Sequence, residues 1–387
     1  MKHSIWLKIL LCLALLGVLL FVGFISVIMT VFSVSQKFYV PVVMITTGVL
    51  MVFIVLRIFG LVNPKTLYLS LGTFFIIGML VITGYEINCF FQNNIPIVNE
   101  QGVNLNLYQP FQENTKVVSL PESSTLQIKD NLPIIDGATA LYPLYSAFAR
   151  ATYPYKKYDP RQSEVMCNTT VGAYQNLIDG KVDLIFVARP SQDQLETAKN
   201  EGVVLKLTPI GREAFVFFVN SKNPITELAV NQIQDIYSGK ISNWKELGGK
   251  NEAIRAFQRP ENSGSQTMFQ KLMEGKNLMT PPKEDVVAGM GGIIEQTADY
   301  RNYKNAIGYS FLFFATEMIG NNQIRLLKVN GVIPDKTTIK SKKYPLAADF
   351  YAVTAGSKNP NTEVLIKWIL SPQGQYIVDQ TGYTPIK

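Results

Sequence analysis

The chain has 387 residues, of which 47% are hydrophobic and 17% charged, and its formal net charge is +7. Its single histidine, His3, lies in the basic start of the chain, which argues against a catalytic histidine or a histidine-based metal site. Lysine and arginine are scattered, without the basic run that is typical of nucleic-acid binding. The composition therefore predicts neither a metal cofactor nor a nucleic-acid partner.

The three cysteines, Cys12, Cys89 and Cys167, show no CxxC spacing. They indicate neither a zinc site nor a thioredoxin-like redox pair. Cys12 lies inside an apolar run. Cys89 and Cys167 either form a disulfide in an oxidising compartment or remain two independent thiols.

Most of the apolar excess lies near the N-terminus, in three stretches without a charged residue: Ile9–Gln36, Phe38–Leu56 and Thr66–Tyr85. A helix needs roughly 20 apolar residues to cross a bilayer. The sequence therefore predicts three transmembrane helices, at about 9–34, 38–62 and 66–85, within a membrane anchor over residues 1–88.

The basic residues that flank these stretches predict their orientation. The N-terminal flank and the second loop carry two each and the first loop carries one: Lys2 and Lys8, Arg57 and Lys65, and Lys37. Because the more positive segments stay in the cytoplasm, the N-terminus is predicted to be cytoplasmic and the chain after about Tyr85 extracytoplasmic. A cleaved signal peptide over Met1–Thr30 is the alternative, but its apolar run is too long and two more spans follow.

Residues 89–130 are rich in Asn, Gln, Pro and Ser and are predicted to be a tether. From residue 131 onward, strand patterns alternate with helix patterns, which indicates an α/β domain with parallel sheets. The predicted strands are Leu132–Ile135, Leu184–Val187, Ala214–Val219 and Ala348–Val353. The predicted helices are Leu141–Ala151, Val171–Asp179, Ala229–Ser238, Ser265–Glu274 and Asn361–Gln380.

Residues 131–387 are too many for one small core. We expect two lobes with a ligand-binding cleft between them. Lobe 1 is predicted to comprise about 131–210 and 335–387, and lobe 2 about 211–334.

Three loops that precede predicted helices share a polar character: Asp136–Pro143, Asn168–Gly172 and Arg259–Ser265. A helix N-terminus presents free N–H groups and a partial positive charge, and Ser or Thr adds a hydroxyl. Such loops suit an anion, although a single Ser or Thr is more often an ordinary helix cap. An arginine is not needed for capping, so the Arg-x-x-x-Ser-Gly-Ser arrangement from Arg259 favours anion binding.

From about Leu132 to the C-terminus, the sequence resembles the phosphate-binding receptors of ABC-type phosphate importers, which have a type II periplasmic-binding-protein fold. The three loops match that family's anion loops in order. Further segments also match: Tyr237–Trp244, Asn305–Tyr309, Leu370–Gln375 and Gly382–Ile386.

The resemblance implies the roles of individual residues. The anion would be bound by Thr139, Ala140, Thr169, Arg259, Ser263, Gly264 and Ser265. Supporting roles would fall to Glu261, which would orient Arg259, and to Arg189 and Asp136. One departure concerns the strand ending near Val187, after which the family carries either an acidic acceptor or a Ser-Arg pair. Here Val187-Ala188 is apolar, and only Arg189 matches the second arrangement. The choice between phosphate and sulfate therefore stays open, with Asp136 as one candidate replacement for the acceptor.

The resulting hypothesis is a membrane-anchored extracytoplasmic solute-binding protein that captures phosphate or a related oxyanion for an ABC permease, without enzymatic activity. The alternative is a membrane-bound sensory or regulatory subunit that uses the same cleft. An enzyme such as a phosphate-ester hydrolase is disfavoured, because the sequence offers few candidate bases and no metal cluster.

Overall fold

A computed structural model describes residues 2–31, 36–93, 97–98, 103–281, 300–301, 303–318 and 323–386. Within it the chain forms two compact units, Met1–Asn94 and Ile95–Lys387. The end of the first predicted transmembrane helix and the start of the short connection to the second, residues 32–35, lie outside the described residues.

The first unit consists of three long helices: α1 Lys2–Val31, α2 Gln36–Phe59 and α3 Pro64–Asn93. Their apolar parts, of 27, 22 and 28 residues, are each long enough to cross a membrane. Helix α1 packs closely on α2, since a Cβ at Gly23 would lie 2.7 Å from the Thr47 hydroxyl oxygen. A small residue at such a point lets two apolar helices approach. The prediction of three long apolar helices is confirmed.

The second unit is an α/β domain, as predicted. Its strands are β1 Ile97–Val98, β2 Ile135–Gly137, β3 Leu184–Val187, β4 Lys206–Asn220, β5 Glu227–Leu228, β6 Arg255–Ala256, β7 Tyr300–Arg301, β8 Ala306–Phe311, β9 Ile324–Leu326, β10 Lys328–Val329 and β11 Ala347–Thr354. Its helices are α4 Tyr142–Thr152, α5 Thr169–Ile178, α6 Gln192–Asn200, α7 Val230–Tyr237, α8 Gly264–Leu272, α9 Lys336–Lys340, α10 Asn361–Ile369 and α11 Pro372–Thr381.

The main sheet has the strand order β2-β3-β11-β4-β8-β6, with β9 also paired to β4. The expectation of parallel sheets is only partly correct. Strand β3 is parallel to β2 and β6 is parallel to β8, but the three central pairings are antiparallel. The reason is the 15-residue strand β4, which pairs with β11 over its first part and with β8 over its second. Later in the chain, strand β11 pairs with β4 in the antiparallel direction.

Two large apolar clusters form most of the core of the α/β domain. One gathers residues of β2, β3 and α4, among them Ile135, Phe148 and Phe186. The other gathers residues of β4, α7 and α8, among them Phe217 and Phe269.

Part of the segment that was expected to be a tether contributes to the first cluster. Tyr108, Val117 and Ile128 are buried there, and Arg150 of α4 donates a hydrogen bond to the Pro110 carbonyl at 2.7 Å. Residues 103–130 therefore belong to the packed α/β unit. Tyr, Val and Ile spaced among polar residues gave no periodic signal in the sequence.

The single C-terminal helix predicted over Asn361–Gln380 is wrong, because the structure has two. Helix α10 ends at Ile369 and α11 begins at Pro372. Proline lacks the N–H that a continuous helix needs and clashes with the preceding turn. Ser371 caps the new helix by accepting a hydrogen bond from the Gly374 N–H.

Candidate anion-binding site

The first predicted loop leaves strand β2 at a crowded point. A Cβ at Gly137 would lie 2.5 Å from the Phe186 carbonyl oxygen and 2.7 Å from the Tyr145 ring. Glycine is therefore required there. The Ala138 N–H then donates to the same Phe186 carbonyl at 2.9 Å, and a short 3-10 helix over Thr139–Leu141 leads into α4.

Asp136, at the end of β2, is completely buried and holds the first two loops together. Its carboxylate accepts hydrogen bonds from the N–H of Gly137 at 2.7 Å, from the N–H and the side-chain amide of Asn168 at 2.8 Å each, and from the amide of Asn176 at 2.9 Å. Asp136 does not line the cavity described below. Its acceptor capacity is used within the protein, so the structure offers no support for Asp136 as the replacement acceptor.

The second loop contains an uncommon backbone conformation. Thr169, the first residue of α5, has φ +61°. A β-branched side chain rarely adopts this left-handed region, which costs on the order of 1–2 kcal/mol for a non-glycine residue. The preceding residue is fixed by Asp136. Strain of this kind persists only where the surroundings impose it.

The third loop begins at Arg259 and ends at the N-terminus of α8. The Arg259 N–H donates to the side-chain oxygen of Gln266 and to the Tyr309 hydroxyl, at 3.1 Å in both cases. Ser263 caps α8 by accepting from the Gln266 N–H at 3.3 Å. Glu261 accepts from the Gln270 amide at 2.6 Å.

The second and third loops are in contact. A Cβ at Gly264 would lie 3.2 Å from the Thr170 hydroxyl oxygen and 3.3 Å from the Ala188 methyl group. A larger residue at position 264 would therefore push the α5 and α8 N-termini apart. This close approach explains why the Ser-Gly-Ser sequence has a glycine at its centre.

All three loops open into one cavity of about 650 Å³. Its wall includes every residue predicted to bind the anion, together with Glu261: Thr139, Ala140, Thr169, Arg259, Ser263, Gly264 and Ser265. Ala188 also lies on this wall. An apolar residue therefore faces the cavity from the segment in which the resembling family carries its acidic acceptor. The cavity thus offers hydroxyls, main-chain N–H groups and one arginine, which is a set suited to an oxyanion.

Arg189 lies elsewhere, on a neighbouring cavity of about 950 Å³. Its guanidinium donates a hydrogen bond to the Tyr351 hydroxyl at 3.1 Å and stacks over that ring at 5.8 Å. The hydrogen bond to Tyr351 raises the pKa of Arg189, so it remains cationic.

Sequence inspection missed two acidic residues of the cavity wall: Asp349, which forms an ion pair with Arg212, and Glu213. Glu213 lies in the middle of β4 and is only 5% exposed. Burial raises the pKa of its carboxyl to about 8, and the hydrogen bond from the Phe313 N–H, at 2.6 Å, partly offsets this. The sequence feature that could have pointed to Glu213 is its position directly before the predicted buried strand Ala214–Val219.

Cys167 lies beneath the first loop, where its thiol donates a weak hydrogen bond to the Thr139 hydroxyl at 3.9 Å. Burial raises the pKa of this thiol to about 12. All three cysteines are free thiols in this structure. Among the described residues, no group of three or more His, Cys, Asp or Glu side chains could hold a metal ion.

Comparison with known proteins places this domain in a family. The family described as "PBP superfamily domain" matches residues 131–373. The phosphate-binding protein PstS of Borreliella burgdorferi is 27% identical over 284 residues, which cover 71% of this chain and 92% of that protein. The Bacillus subtilis phosphate-binding protein PstS is 28% identical over 193 residues, 49% of this chain and 61% of that protein.

A solved structure shows the same fold. It is a candidate phosphate ABC transporter substrate-binding protein from Clostridium perfringens with bound phosphate. It is 24% identical, covers 67% of this chain and 100% of its own length, and has a TM-score of 0.50. The predicted binding-protein fold and the resemblance to phosphate-binding receptors are confirmed: the chain belongs to the PBP superfamily domain family.

Proposed function

We propose that this protein captures phosphate, or a closely related oxyanion, outside the cytoplasm and delivers it to an ABC importer. The proposal rests on one observation: the three loops Asp136–Pro143, Asn168–Gly172 and Arg259–Ser265 all contribute residues to the wall of one cavity. The proposed ligand residues are Thr139, Ala140, Thr169, Arg259, Ser263, Gly264 and Ser265.

The cavity supplies both charge and hydrogen-bond donors. Arg259 gives the permanent positive charge, and its planar fork matches two oxygens of a tetrahedral anion. The N-termini of α5 and α8 lie on the same wall and add partial positive charge and free N–H groups. Because each donor comes from a different part of the chain, a small rigid anion can be surrounded on several sides.

The curated relatives support a binding protein rather than an enzyme. Those from Borreliella burgdorferi and Bacillus subtilis are both named phosphate-binding proteins. Phosphate is therefore the first ligand to test, and the subunits of an ABC permease are the proposed partners. The proposed lobes, about 131–210 with 335–387 and about 211–334, would close on the ligand as strand β4, which spans the boundary near residue 210, bends.

Helices α1–α3 are proposed to anchor the protein in the membrane. Their length and composition support this, and the distribution of basic residues supports a cytoplasmic N-terminus with the binding domain outside. Cysteine-accessibility labelling in whole cells tests the topology. A cysteine introduced at the exposed residue Tyr155 should react with a membrane-impermeant reagent, and labelling only after lysis would contradict the proposed orientation.

Calorimetric titration of the full-length protein in detergent tests the ligand. We expect saturable binding of one phosphate per chain. A matched titration with chloride at the same ionic strength controls for non-specific anion binding. No heat with phosphate at any concentration up to millimolar would contradict the proposal.

A further inference from the structure

The proposed site contains a carboxyl group that its anion-binding role does not use. Glu213 lies on the wall of the same cavity as Arg259 and Ser265. A carboxylate beside an anion would repel it, so its presence there needs an explanation.

Among the described residues, no cation forms an ion pair with Glu213, and the one hydrogen bond to its carboxyl group is donated by the Phe313 main-chain N–H, at 2.6 Å. Arg212, the preceding residue, forms an ion pair with Asp349 at 2.8 Å. Among the ion pairs between described residues, none includes Glu213.

Other titratable groups lie near Glu213, on the cavity wall or in the C-terminal segment: Arg259, Glu261, Asp349 and Tyr383. The Tyr383 hydroxyl already donates a hydrogen bond to the Ala140 carbonyl. The Asp349 carboxylate already forms an ion pair with Arg212. Neither stabilises an ionised Glu213.

We propose that Glu213 is a specificity-determining residue that binds the anion as a neutral acid, by donating its carboxyl proton in a hydrogen bond to a ligand oxygen. One carboxyl oxygen accepts from Phe313, which leaves the other to carry the proton. This inference rests on the proposed function and deepens it. It replaces the acceptor missing at Val187-Ala188 with a donor, so the cavity would select a fully ionised anion rather than reject it.

The proposal makes anion affinity depend on pH in a defined direction. Burial holds the pKa of Glu213 at about 8 without ligand, and an adjacent anion raises it further. Affinity for a dianion is then constant below about pH 8 and falls about tenfold per pH unit above it. Above this pH, phosphate binding also takes up one proton from the buffer.

The test is titration of the full-length protein in detergent between about pH 7.5 and 9.5, with phosphate and with sulfate, in two buffers of different ionisation enthalpy. Sulfate is not protonated in this range, so it separates the titration of the protein from that of phosphate. Glu213→Gln keeps an acceptor for Phe313 and an N–H donor for the anion. We expect this variant to bind with a flat pH profile and without proton uptake.

Glu274→Gln is the matched control, since Glu274 is exposed and lies on the neighbouring cavity. It should keep the pH slope of the unmodified protein. A flat profile and no proton uptake in the unmodified protein would overturn the proposal, even if Glu213→Gln did not fold. An equal slope in Glu213→Gln would also overturn it. Absence of phosphate binding at every pH would overturn the proposed function as well, so the two failures are distinguishable.

Discussion

The carboxylate of Asp136 accepts hydrogen bonds from both the main-chain N–H and the side-chain amide of Asn168, at 2.8 Å each. This pair fixes the start of helix α5 relative to the end of strand β2. It therefore sets the spacing between two of the three loops that meet on the cavity.

Replacing Asp136 with alanine should damage both stability and binding. Four donors would lose their buried acceptor, and each unsatisfied buried donor costs about 1–3 kcal/mol. We expect the free energy of unfolding, measured with urea, to fall by at least about 3 kcal/mol and phosphate affinity to fall with it. Asp136→Asn keeps one acceptor oxygen, so its free energy of unfolding and its phosphate affinity should lie between those of the unmodified protein and those of Asp136→Ala. An Asp136→Ala protein with unchanged stability would contradict this role.

Thr169 is predicted to lower the stability of the protein through its strained backbone and to strengthen phosphate binding through its hydroxyl. Glycine tolerates φ +61° without strain, so Thr169→Gly should leave the free energy of unfolding unchanged or raise it by up to about 1 kcal/mol. The lost hydroxyl should at the same time weaken phosphate binding. Thr169→Ser keeps the hydroxyl and should bind nearly normally. If Thr169→Gly bound phosphate as tightly as the unmodified protein, the hydroxyl would have no part in the site.

Tyr309 is predicted to position Arg259 without touching the anion. Its hydroxyl accepts from the Arg259 N–H at 3.1 Å, and Gln266 accepts from the same N–H. Tyr309→Phe removes one of two acceptors, so phosphate affinity should fall about threefold to tenfold, corresponding to about 1 kcal/mol.

Tyr344→Phe is the matched control, because it also removes one buried hydroxyl, which donates to the Phe215 carbonyl at 3.0 Å. It should lower stability with little effect on affinity. Equal losses of affinity in the two variants would show that position 309 acts only through stability.

The stability of the protein should also depend on Glu213. Its pKa rises from an ordinary 4.5 to about 8 on folding. Between these values the folded protein holds a proton that the unfolded chain releases. The contribution of this residue to the free energy of unfolding is therefore full below about pH 4.5 and declines by up to about 1.4 kcal/mol per unit until about pH 8.

Urea unfolding of the unmodified protein and of Glu213→Gln, at several pH values in this window, measures that contribution. The free energy of unfolding of the unmodified protein should fall relative to that of Glu213→Gln as pH rises from about 4.5, and the difference between the two should become level above about pH 8. Parallel curves would show that the carboxyl is not buried in this way.

The sequence predicted the features that rest on contiguous residues. Long uncharged runs identify apolar helices by themselves, and the loop from Arg259 to Ser265 contains its charge, hydroxyls and helix start within seven positions. Features that depend on distant partners were missed. The hydrogen-bond partner of Glu213 is Phe313, 100 positions away. Asp136 stayed one candidate replacement for the missing acceptor because its partners Asn168 and Asn176 lie in another loop and helix.

The packing of the segment before residue 131 was missed for a related reason. Tyr108 and Ile128 lie in polar surroundings along the chain, and only the tertiary structure brings them to the core around α4. The mixed sheet likewise follows from the return of β11 along β4, a long-range pairing without a local signal.

The most direct test of the account is the phosphate dissociation constant of Arg259→Ala against that of Arg161→Ala, measured by calorimetry on the full-length protein. Arg161 is exposed and lines neither cavity, so its replacement controls for the loss of one positive charge. We predict that Arg259→Ala loses at least about a hundredfold in affinity, as expected when a partly buried anion loses its chief countercharge, while Arg161→Ala stays within about twofold. An Arg259→Ala protein that binds phosphate as tightly as the Arg161→Ala protein would contradict the assignment of the site.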